Sequence, residues 1–251
     1  MNEDFATKAK MTWCPGCSNS AILVAFRQAL NELIQEGFLK LENVVAATGI
    51  GCHGKILDYL DVNSFTSLHG RLIPTMTGIK LANPELCVVG FSGDGDSYAE
   101  GLSHLIQAAR RNSDIKIFIH NNQVFALTTG QATPTSPKGF KGASTPFGNI
   151  EEPLNPLRVM LSAGATFVAR TYAPEIAKTK EIMKAAIRHQ GFSYVDIIQP
   201  CLTFFDTRNY YQERTYWLDE KEFPTGDCKA AWSQAEVDGE KIPLGIFYES
   251  G

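Results

Sequence analysis

Apolar runs with the length of strands alternate with segments of helical periodicity, and this alternation constrains the fold more than any other feature of the chain. The runs are rich in β-branched and aromatic residues, and the segments between them repeat apolar residues every three to four positions. Strands are predicted over 43–48, 87–91, 115–120, 166–170 and 192–198, and helices over 22–34, 97–111 and 175–190. This order predicts an α/β fold with a doubly wound, mostly parallel sheet covered by helices on both faces.

The composition is that of an ordinary globular protein and argues against several functional classes. Of the 251 residues, 44% are hydrophobic and 20% are charged, unlike a disordered or fibrous chain. A net charge of −4 gives no general attraction for nucleic-acid phosphates or anionic membranes. No apolar run approaches the roughly 18 residues of a membrane span, and the N-terminal segment MNEDFATKAKMTW lacks the apolar core of a signal peptide. We therefore expect a cytoplasmic protein without nucleic-acid or membrane partners.

The segment 130–155 is rich in Gly, Pro, Ser and Thr and predicts a long loop. Because strands and helices resume after it, we interpret it as a loop that covers a site rather than as a domain boundary. We place one domain over 1–205 and a C-terminal extension over 206–251. The extension has many aromatic residues and no clear period, so it is expected to be irregular. Two alternatives remain open for it: packing against a partner subunit, or packing on its own domain.

Two polar turns follow successive predicted strands. Gly93-Asp94-Gly95-Asp96 comes after the strand at 87–91, Asn121-Asn122 comes after the strand at 115–120, and Asp94 and Asn122 are 28 residues apart. That spacing fits one helical crossover, which brings both turns to the same edge of a parallel sheet. Carboxylate and amide oxygens suit Mg²⁺, while the glycines and a helix that begins near Ser97 suit a diphosphate. Each turn alone is explained as well by a plain turn, or for DGD by a calcium loop. Together they favour a site for a magnesium-bound diphosphate.

The cysteines form a second candidate site. Cys14 and Cys17 are spaced C-x-x-C just before the first predicted helix, and Cys52 and Cys201 follow predicted strands. In a chain without an export signal, such thiols are used for metal binding or redox chemistry more often than for disulfides. A structural zinc site and an iron–sulfur cluster are both open at this point. Two cysteines are left out of the site. Cys87 is expected to pack in the core, and Cys228, in the extension, has no assigned role.

The order of these motifs resembles one enzyme family. A GDG at a strand end that is followed by NN is similar to the thiamine-diphosphate motif. Over about residues 10 to 205 the sequence resembles the β subunit of 2-oxoacid:ferredoxin oxidoreductases. The motifs that carry the resemblance are WCPGC, TGIGC, LHGR, GDGD, NNQVFALTTGQ with PTSPKG, and PCLTFF. The resemblance implies a thiamine-diphosphate-binding fold, of which this chain would be the diphosphate-binding module.

The resemblance also implies which residues hold the cofactors. Magnesium would be bound by Asp94, by Asn122 and by the backbone carbonyl of Val124. Gly95 and Asp96 would contact the diphosphate. A [4Fe–4S] cluster beside the thiamine ring would be held by the four loop cysteines, Cys14, Cys17, Cys52 and Cys201. The other positions implied to bind the cofactor are Gly51, Cys52, His69, Gly70, Gly93, Leu127 and Thr128.

The implied reaction is the oxidative decarboxylation of a 2-oxoacid to acyl-CoA and carbon dioxide. Thiamine diphosphate would act as the electron sink, and the cluster would pass electrons singly to a ferredoxin or flavodoxin. In this family the glutamate that activates the cofactor lies in the other, pyrimidine-binding module, so no catalytic residue is assigned in this chain. We expect an obligate α subunit that carries this glutamate and most coenzyme A contacts, in a heterodimer or a dimer of heterodimers.

The substrate is less well determined than the reaction. Lys55 is a candidate to hold the substrate carboxylate, although a solvated lysine at the start of a helix is an equal alternative. On this basis and on general resemblance we prefer 2-oxoglutarate over pyruvate or a branched-chain 2-oxoacid. Some family members have a lysine where this chain has Thr129, which leaves the choice open. Two other functional classes stay in view: a redox-free thiamine-dependent decarboxylase or synthase with structural zinc, and a non-enzymatic metal-binding module.

Overall fold

The computed structural model describes residues 5–219, 221–235 and 240–250. Residues 1–4 of the N-terminal segment considered for an export signal, and positions 220, 236–239 and 251 of the C-terminal extension, lie outside this description. The strands are β1 (Val44–Thr48), β2 (Asn63–Thr66), β3 (Cys87–Gly93), β4 (Lys116–Asn121), β5 (Val124–Phe125), β6 (Gln131–Ala132), β7 (Phe167–Tyr172), β8 (Ser193–Ile198), β9 (Thr215–Trp217) and β10 (Ile242–Glu249). The helices are α1 (Asn19–Gln35), α2 (Leu72–Ala82), α3 (Leu102–Arg110), α4 (Pro156–Ser162), α5 (Ile176–Arg188), α6 (Arg208–Arg214) and α7 (Cys228–Gln234).

An eight-stranded sheet forms the centre of the described part of the chain, in the order β2-β1-β3-β4-β8-β7-β10-β9. Neighbours from β2 to β7 pair in parallel, as do β9 and β10, whereas β10 runs antiparallel to β7. This confirms the predicted mostly parallel α/β fold. Gly93 of β3 lies opposite His120 of β4, and Asn121 lies opposite Ile198 of β8. The residues that follow these strands are therefore gathered at one edge of the sheet.

Helices cover both faces of the sheet, and each face has its own apolar core. On one face α1 packs against α5, and Phe26 of α1 makes edge contacts with Phe91 of the sheet. On the other face α2, α3, α4 and α7 enclose a second cluster that includes Leu105 and Met160. Because both faces are buried, the central strands have continuous apolar runs instead of an alternating pattern. This is why they could be recognised from sequence.

The helix predicted over 97–111 is built differently from the expectation. The chain leaves β3 through a π-helical turn, Gly95–Glu100, and α3 begins at Leu102 after Gly101. A Cβ atom at Gly101 would lie 2.8 Å from the carbonyl oxygen of Asp96, so only glycine fits this junction. Single π-helical turns occur frequently at functional sites. This one contains Gly95 and Asp96.

The C-terminal segment is not irregular throughout, contrary to the expectation. β10 joins the main sheet beside β7, where Ile242 and Leu244 are buried. Sequence patterns missed the strand because Pro243 and Gly245 are both unfavourable inside strands. Pairing with β7 begins only at Gly245, so the missing N–H of Pro243 costs no bond to that neighbour. Part of the extension thus packs on its own domain. Its contact with a partner and the boundary at residue 206 stay predictions.

The long segment 130–155 is a loop apart from β6, which pairs with β5 in a small separate ladder. Its first part returns to the carboxyl edge of the main sheet, where Thr133 and Thr135 bond to Asp94. The loop therefore lies against the predicted site, as expected. Among the described residues, no helix is both long enough and apolar enough to span a membrane.

Candidate functional site

The two polar turns meet in a crevice at the carboxyl edge of the sheet. From β1 the chain turns toward β2, whereas from β3 it turns toward β4 on the opposite side. Diverging connections of this kind open a crevice between the two strands, and parallel sheets bind ligands there. A pocket of about 60 Å³ lies at this point, the cofactor pocket. The predicted cofactor residues on its wall are Gly51, Cys52, His69, Gly93, Asp94, Gly95, Asp96, Asn122, Val124, Leu127 and Thr128.

Asp94 is buried at this pocket without a cationic partner among the described residues. Its Oδ2 atom accepts hydrogen bonds from the hydroxyls of Thr133 at 2.5 Å and Thr135 at 2.8 Å. Burial raises the pKa of Asp94 to about 6, although these two bonds act in the opposite direction. A bound cation would offset the cost of burying this carboxylate. The environment of Asp94 therefore fits the predicted magnesium ligand.

The carboxylate of Asp96 points into the protein and joins three segments. Oδ2 accepts a bond from the Ser92 hydroxyl at 2.6 Å, and Oδ1 accepts bonds from the backbone N–H groups of Gly70 at 2.7 Å and Ile50 at 3.4 Å. Gly70 does not line the pocket, but its φ of +66° and its close approach to Glu100 exclude a side chain there. Asp96 thus organises the pocket wall, and its predicted contact with diphosphate stays a prediction.

Asn122 begins the turn after β4. Its Oδ1 accepts the N–H of Val124 at 3.1 Å, and its Nδ2 donates to Oε1 of Gln199 at 3.1 Å. The next residue, Gln123, has the left-handed φ of +61°, and the hydroxyl of Ser136 donates to its carbonyl. These bonds fix the side chain of Asn122 and the backbone of Val124 at the same pocket wall. Their predicted role as magnesium ligands is compatible with this placement.

Three histidines near the pocket have a buried ring nitrogen without a hydrogen-bond partner in the described residues: Nε2 of His53, Nδ1 of His69 and Nε2 of His120. Burial lowers the pKa of His53 to about 4 and that of His120 well below its usual range, so both rings are neutral. Nδ1 of His120 lies 2.7 Å from Oδ1 of Asn19 and donates to it, which leaves Nε2 as an acceptor. Nε2 of His53 and Nδ1 of His69 lie 3.8 Å and 3.5 Å from the carboxylate of Asp96 without forming a hydrogen bond to it. Polar atoms that lack a hydrogen bond fit a hydrated metal–diphosphate group.

The four predicted metal-binding cysteines converge from three segments of the chain. The Cys17 N–H donates to the carbonyl of Cys14 at 3.0 Å in the tight turn before α1. Nε1 of Trp13 donates to the carbonyl of Cys52 at 2.7 Å, which ties this turn to the loop after β1. The hydroxyl of Thr203, two residues after Cys201, lies 3.5 Å from Sγ of Cys14. These contacts bring the four cysteines to one place.

The pKa shifts of these thiols include contributions from one another. Burial raises the pKa of Cys52 to about 11, and the thiols of Cys17, Cys201 and Cys14 raise it further. Burial also raises the pKa of Cys17, again with contributions from Cys201 and Cys14. A positive centre would stabilise four thiolates that repel one another. No three His, Cys, Asp or Glu side chains in the described ranges are arranged to hold a single metal ion.

Cys52 belongs to both candidate sites, since it lines the cofactor pocket and interacts with the other three thiols. Lys55, in contrast, is half-buried and does not line the pocket. The positive charge of Lys55 acts on the thiol of Cys52, where it opposes the rise in pKa that burial causes. The two cysteines left outside the site are separate from it. Cys87 begins β3, where burial raises its pKa to about 11, and Cys228 is exposed at the start of α7.

Sequence reasoning missed several residues of this site. The sequence did contain a signal for His53 and His120. Each is adjacent to a residue of a motif used in the sequence analysis, His53 to Cys52 and His120 to Asn121. Thr135 lies in the PTSPKG motif, but no role was assigned to it, whereas no sequence signal indicated Thr133 and Gln199. The roles of all three depend on hydrogen bonds across the fold. Phe125, whose ring packs on Gly95, was likewise missed.

Two family models match the sequence. Residues 49–197 match the C-terminal TPP-binding domain of thiamine pyrophosphate enzymes. Residues 201–251 match the C-terminal region of the pyruvate ferredoxin oxidoreductase β subunit. The first match covers β3, β4 and the residues that line the cofactor pocket, and the second covers the whole of the C-terminal extension.

Proteins similar to this chain are named as subunits of enzymes that act on 2-oxoacids. The 2-oxoacid:ferredoxin oxidoreductase subunit β of Saccharolobus solfataricus is 43% identical over 95% of this chain and 81% of its own length. The 2-oxoglutarate synthase subunit KorB of Archaeoglobus fulgidus is 41% identical over 76% of this chain and 70% of its own. A solved structure of 2-oxoglutarate:ferredoxin oxidoreductase from Magnetococcus marinus, with 2-oxoglutarate, coenzyme A and succinyl-CoA bound, superposes with a TM-score of 0.94 at 35% identity, covering 100% of this chain and 85% of the other.

Proposed function

This chain belongs to the 2-oxoacid:ferredoxin oxidoreductase family as a β subunit, and on that premise we propose which cofactors it holds and which reaction it serves. Together with an α subunit it binds thiamine diphosphate and Mg²⁺ and carries a [4Fe–4S] cluster. The complex decarboxylates a 2-oxoacid oxidatively, transfers the acyl group to coenzyme A and passes single electrons to a ferredoxin or flavodoxin. We propose 2-oxoglutarate as the preferred substrate and pyruvate as the next.

The magnesium part of the proposal rests on Asp94, Asn122 and the carbonyl of Val124. All three residues lie on one pocket wall, and Asp94 is a buried carboxylate that has no cationic side chain beside it among the described residues. Thiamine diphosphate, when bound, supplies the electron sink for decarboxylation. Asp94 and Asn122 would hold the metal end of the cofactor, and both are fixed in place, Asp94 by the hydroxyls of Thr133 and Thr135 and Asn122 by the amide of Gln199.

The cluster part of the proposal rests on the four converging cysteines. A [4Fe–4S] cluster takes four thiolates and supplies a one-electron acceptor. Cys52 would place this acceptor beside the cofactor pocket, since it also lines that pocket. This double position of Cys52 is the observation that carries the proposal, because it explains why thiamine and cysteine motifs occur together in one chain.

The α subunit is proposed because the site is incomplete. The cofactor pocket has about 60 Å³, too little for a whole thiamine diphosphate, and Ile50 and Leu127 on its rim are 40% and 49% exposed. A partner that covers this rim would bury the apolar side chains and add the remaining cofactor contacts. The substrate preference is supported by KorB relatives and by the Magnetococcus marinus enzyme, which holds 2-oxoglutarate and coenzyme A. The role of Lys55 in holding the substrate carboxylate remains part of the proposal.

Anaerobic purification of the complete αβ complex, followed by iron, acid-labile sulfide and zinc analysis, tests the cluster. Roughly four irons bound by this chain are expected, together with an EPR signal that appears on addition of 2-oxoglutarate and coenzyme A. Zinc without iron would overturn the electron-transfer proposal and leave a redox-free thiamine enzyme. A stronger EPR signal with pyruvate would overturn the substrate preference alone.

A pair of cysteine variants localises the cluster. Cys52→Ser should lose most of the EPR signal, because it removes one of four thiolate ligands. Cys87→Ser is the matched control and should retain iron and signal, since Cys87 lies at the amino end of β3. Equal iron loss in both variants would contradict the proposed ligand set.

A further inference from the structure

A second, larger cavity lies at the same edge of the sheet as the cofactor pocket. Its volume is about 370 Å³, within the range of small-molecule sites. It opens beyond the carboxyl ends of β4, β8 and β7, where parallel sheets bind ligands. Most of its wall is apolar or aromatic and includes Leu154, Phe205, Tyr210, Tyr211 and Ile242. The cofactors and substrates proposed above leave this cavity without a role.

The polar part of the wall contains a buried ion pair. Nε of Arg170 donates to Oδ2 of Asp196 at 3.0 Å, and the two residues are only 2% and 1% exposed. Oδ1 of Asp196 accepts a bond from Nδ2 of Asn121 at 3.0 Å. The other carboxylate of the wall, Asp206, is bonded to the guanidinium of Arg208 through both oxygens. Every carboxylate oxygen that faces this region is therefore satisfied.

Arg170 is not satisfied in the same way. Its Nη1 atom is buried and has no hydrogen-bond partner in the part of the chain that the structure describes. An unpaired buried guanidinium nitrogen costs free energy, and an acceptor oxygen from a ligand would recover it. The guanidinium also lies over the ring of Phe247, with 6.0 Å to the ring centroid, which leaves the need for an acceptor at Nη1 unmet. Since the other groups nearby are satisfied or apolar, the missing partner is an acceptor oxygen on an apolar body, and a charged oxygen forms the stronger bond to a guanidinium. Planar, apolar carboxylates have this chemistry and fit the aromatic wall.

The cavity is connected to the cofactor pocket by hydrogen bonds. Thr135 lies 2.8 Å from Oδ2 of Asp94 and 3.0 Å from Oδ1 of Asn121, and Asn121 in turn donates to Asp196. Gln123, in the turn that presents Asn122 and Val124, accepts a bond from the hydroxyl of Tyr211 at 3.0 Å. The wall of the cavity is thus the reverse side of the proposed magnesium-binding turn.

We propose that this cavity is a binding site for a small organic carboxylate with an apolar, planar body, and that Arg170 binds its carboxylate. Because the wall of the cavity holds Asn121 and Gln123, occupancy of this site changes the affinity of the cofactor pocket, and cofactor binding changes the affinity of the site by the same factor. The binding site itself does not depend on the proposed function, whereas the coupling does.

The test uses benzoate as the probe and neutral benzamide as its isosteric control, with binding followed by ligand-observed NMR on the complete αβ complex. Benzoate should bind with a Kd of about 1 mM or tighter and at least about 10-fold more tightly than benzamide, because only the carboxylate pairs with Arg170. Equal affinity for the two probes, or no benzoate binding up to about 10 mM, would overturn the proposal.

Three variants locate the binding. Arg170→Met combined with Asp196→Asn removes the guanidinium without leaving a lone buried charge, and it should abolish the preference for benzoate. Leu154→Trp fills the cavity from another wall without touching the ion pair, and it should also abolish binding, so the test stands even if the double variant does not fold. Arg111→Met removes an exposed arginine that does not line the cavity and should leave binding unchanged. Benzoate binding that survives both cavity variants would place the probe elsewhere.

The coupling is measured separately, as the change in thiamine diphosphate affinity with and without saturating benzoate. A shift of about 3-fold or more is expected. Benzoate binding without any shift would remove the coupling but keep the site. A complex that binds benzoate but no thiamine diphosphate at all would contradict the proposed function and leave the site intact.

Discussion

Strand β4 has a buried charged group near each end, and the two ends are built in opposite ways. At the amino end, Nζ of Lys116 donates to Asp114 at 2.7 Å and to a backbone carbonyl at 2.8 Å, and Lys80 lies 2.8 Å from the same carboxylate. At the carboxyl end, Asp94 accepts hydrogen bonds from neutral hydroxyl and backbone N–H groups and has no cationic partner among the described residues, and within the same residues Nε2 of His120 has no hydrogen-bond partner. In the described part of the chain, the charged groups at the amino end are paired with opposite charges, whereas Asp94 at the carboxyl end is not.

The pKa values of the two aspartates express this difference. Burial would raise the pKa of Asp114, but hydrogen bonds from Lys116 and Lys80 outweigh it and bring the pKa down to about 2. Burial raises the pKa of Asp94 to about 6, and the neutral hydroxyls of Thr133 and Thr135 do not compensate. A paired carboxylate stabilises the folded chain, whereas an unpaired one destabilises it until a cation binds. An uncompensated buried carboxylate of this kind is typical of a ligand site that is kept at the expense of stability.

The largest expected effect is the loss of activity when Asp94 is replaced. Asp94→Asn should lower the 2-oxoacid-dependent rate of the αβ complex by at least about 1,000-fold, because an amide holds Mg²⁺ much more weakly than a carboxylate. The rate is measured by reduction of a one-electron acceptor at saturating thiamine diphosphate. Asp114→Asn, the same substitution at the amino end, serves as the control and should stay within about 2-fold of the wild-type rate. A rate loss of equal size in both variants would remove the distinction between the two ends.

Asp94→Asn should also stabilise the folded chain when metal and cofactor are absent. Since the folded pKa of Asp94 is about 6 and its ordinary value is 3.8, the wild-type chain loses stability as pH rises from about 4 to about 6. Asp94→Asn removes this penalty, so its advantage should be close to zero below pH 4 and reach about 2–3 kcal/mol above pH 6. Urea unfolding in the presence of a chelator measures it. An advantage that does not vary with pH would contradict the assignment to Asp94.

A smaller effect is expected from the hydroxyls that hold Asp94. Thr133→Val keeps the shape of the side chain but removes a 2.5 Å hydrogen bond to the proposed magnesium ligand. The Mg²⁺ concentration needed for half-maximal activity should rise about 10-fold, as for other residues that orient metal ligands. Thr179→Val is the control, because Thr179 is equally buried but bonds to Thr171 and a backbone carbonyl away from the pocket. An unchanged Mg²⁺ requirement in Thr133→Val would show that the loop does not position Asp94.

The smallest expected effect is at the amino end of β4. Asp114→Asn should destabilise the chain by about 1 kcal/mol at pH 7, a value reduced for its partly exposed carboxylate. Because the folded pKa of Asp114 lies below 3.8, its contribution is present above pH 4 and is lost as pH falls toward 2. The difference between variant and wild type in urea unfolding should therefore shrink on acidification. A difference that grows at low pH would contradict the pairing with Lys116 and Lys80.

Much of the fold and part of the site could be predicted because their signals are local. The strands buried on both faces have continuous apolar runs, and α1 has an apolar stripe that Gly37 terminates. β10 could not be predicted, because Pro243 and Gly245 mask a strand that is stabilised by pairing with β7.

The sequence by itself determined the alternation of strands and helices, the two polar turns and the cysteine motif, and through them the family. Only the tertiary structure decided that Thr133 and Thr135 reach Asp94, that Gln199 holds Asn122, and that Arg170 and Asp196 pair beside a cavity. The physical reason is the range of the interactions. Backbone preferences and hydrophobic periodicity act between residues a few positions apart, whereas a buried charge finds its partners among residues that the folded chain brings together.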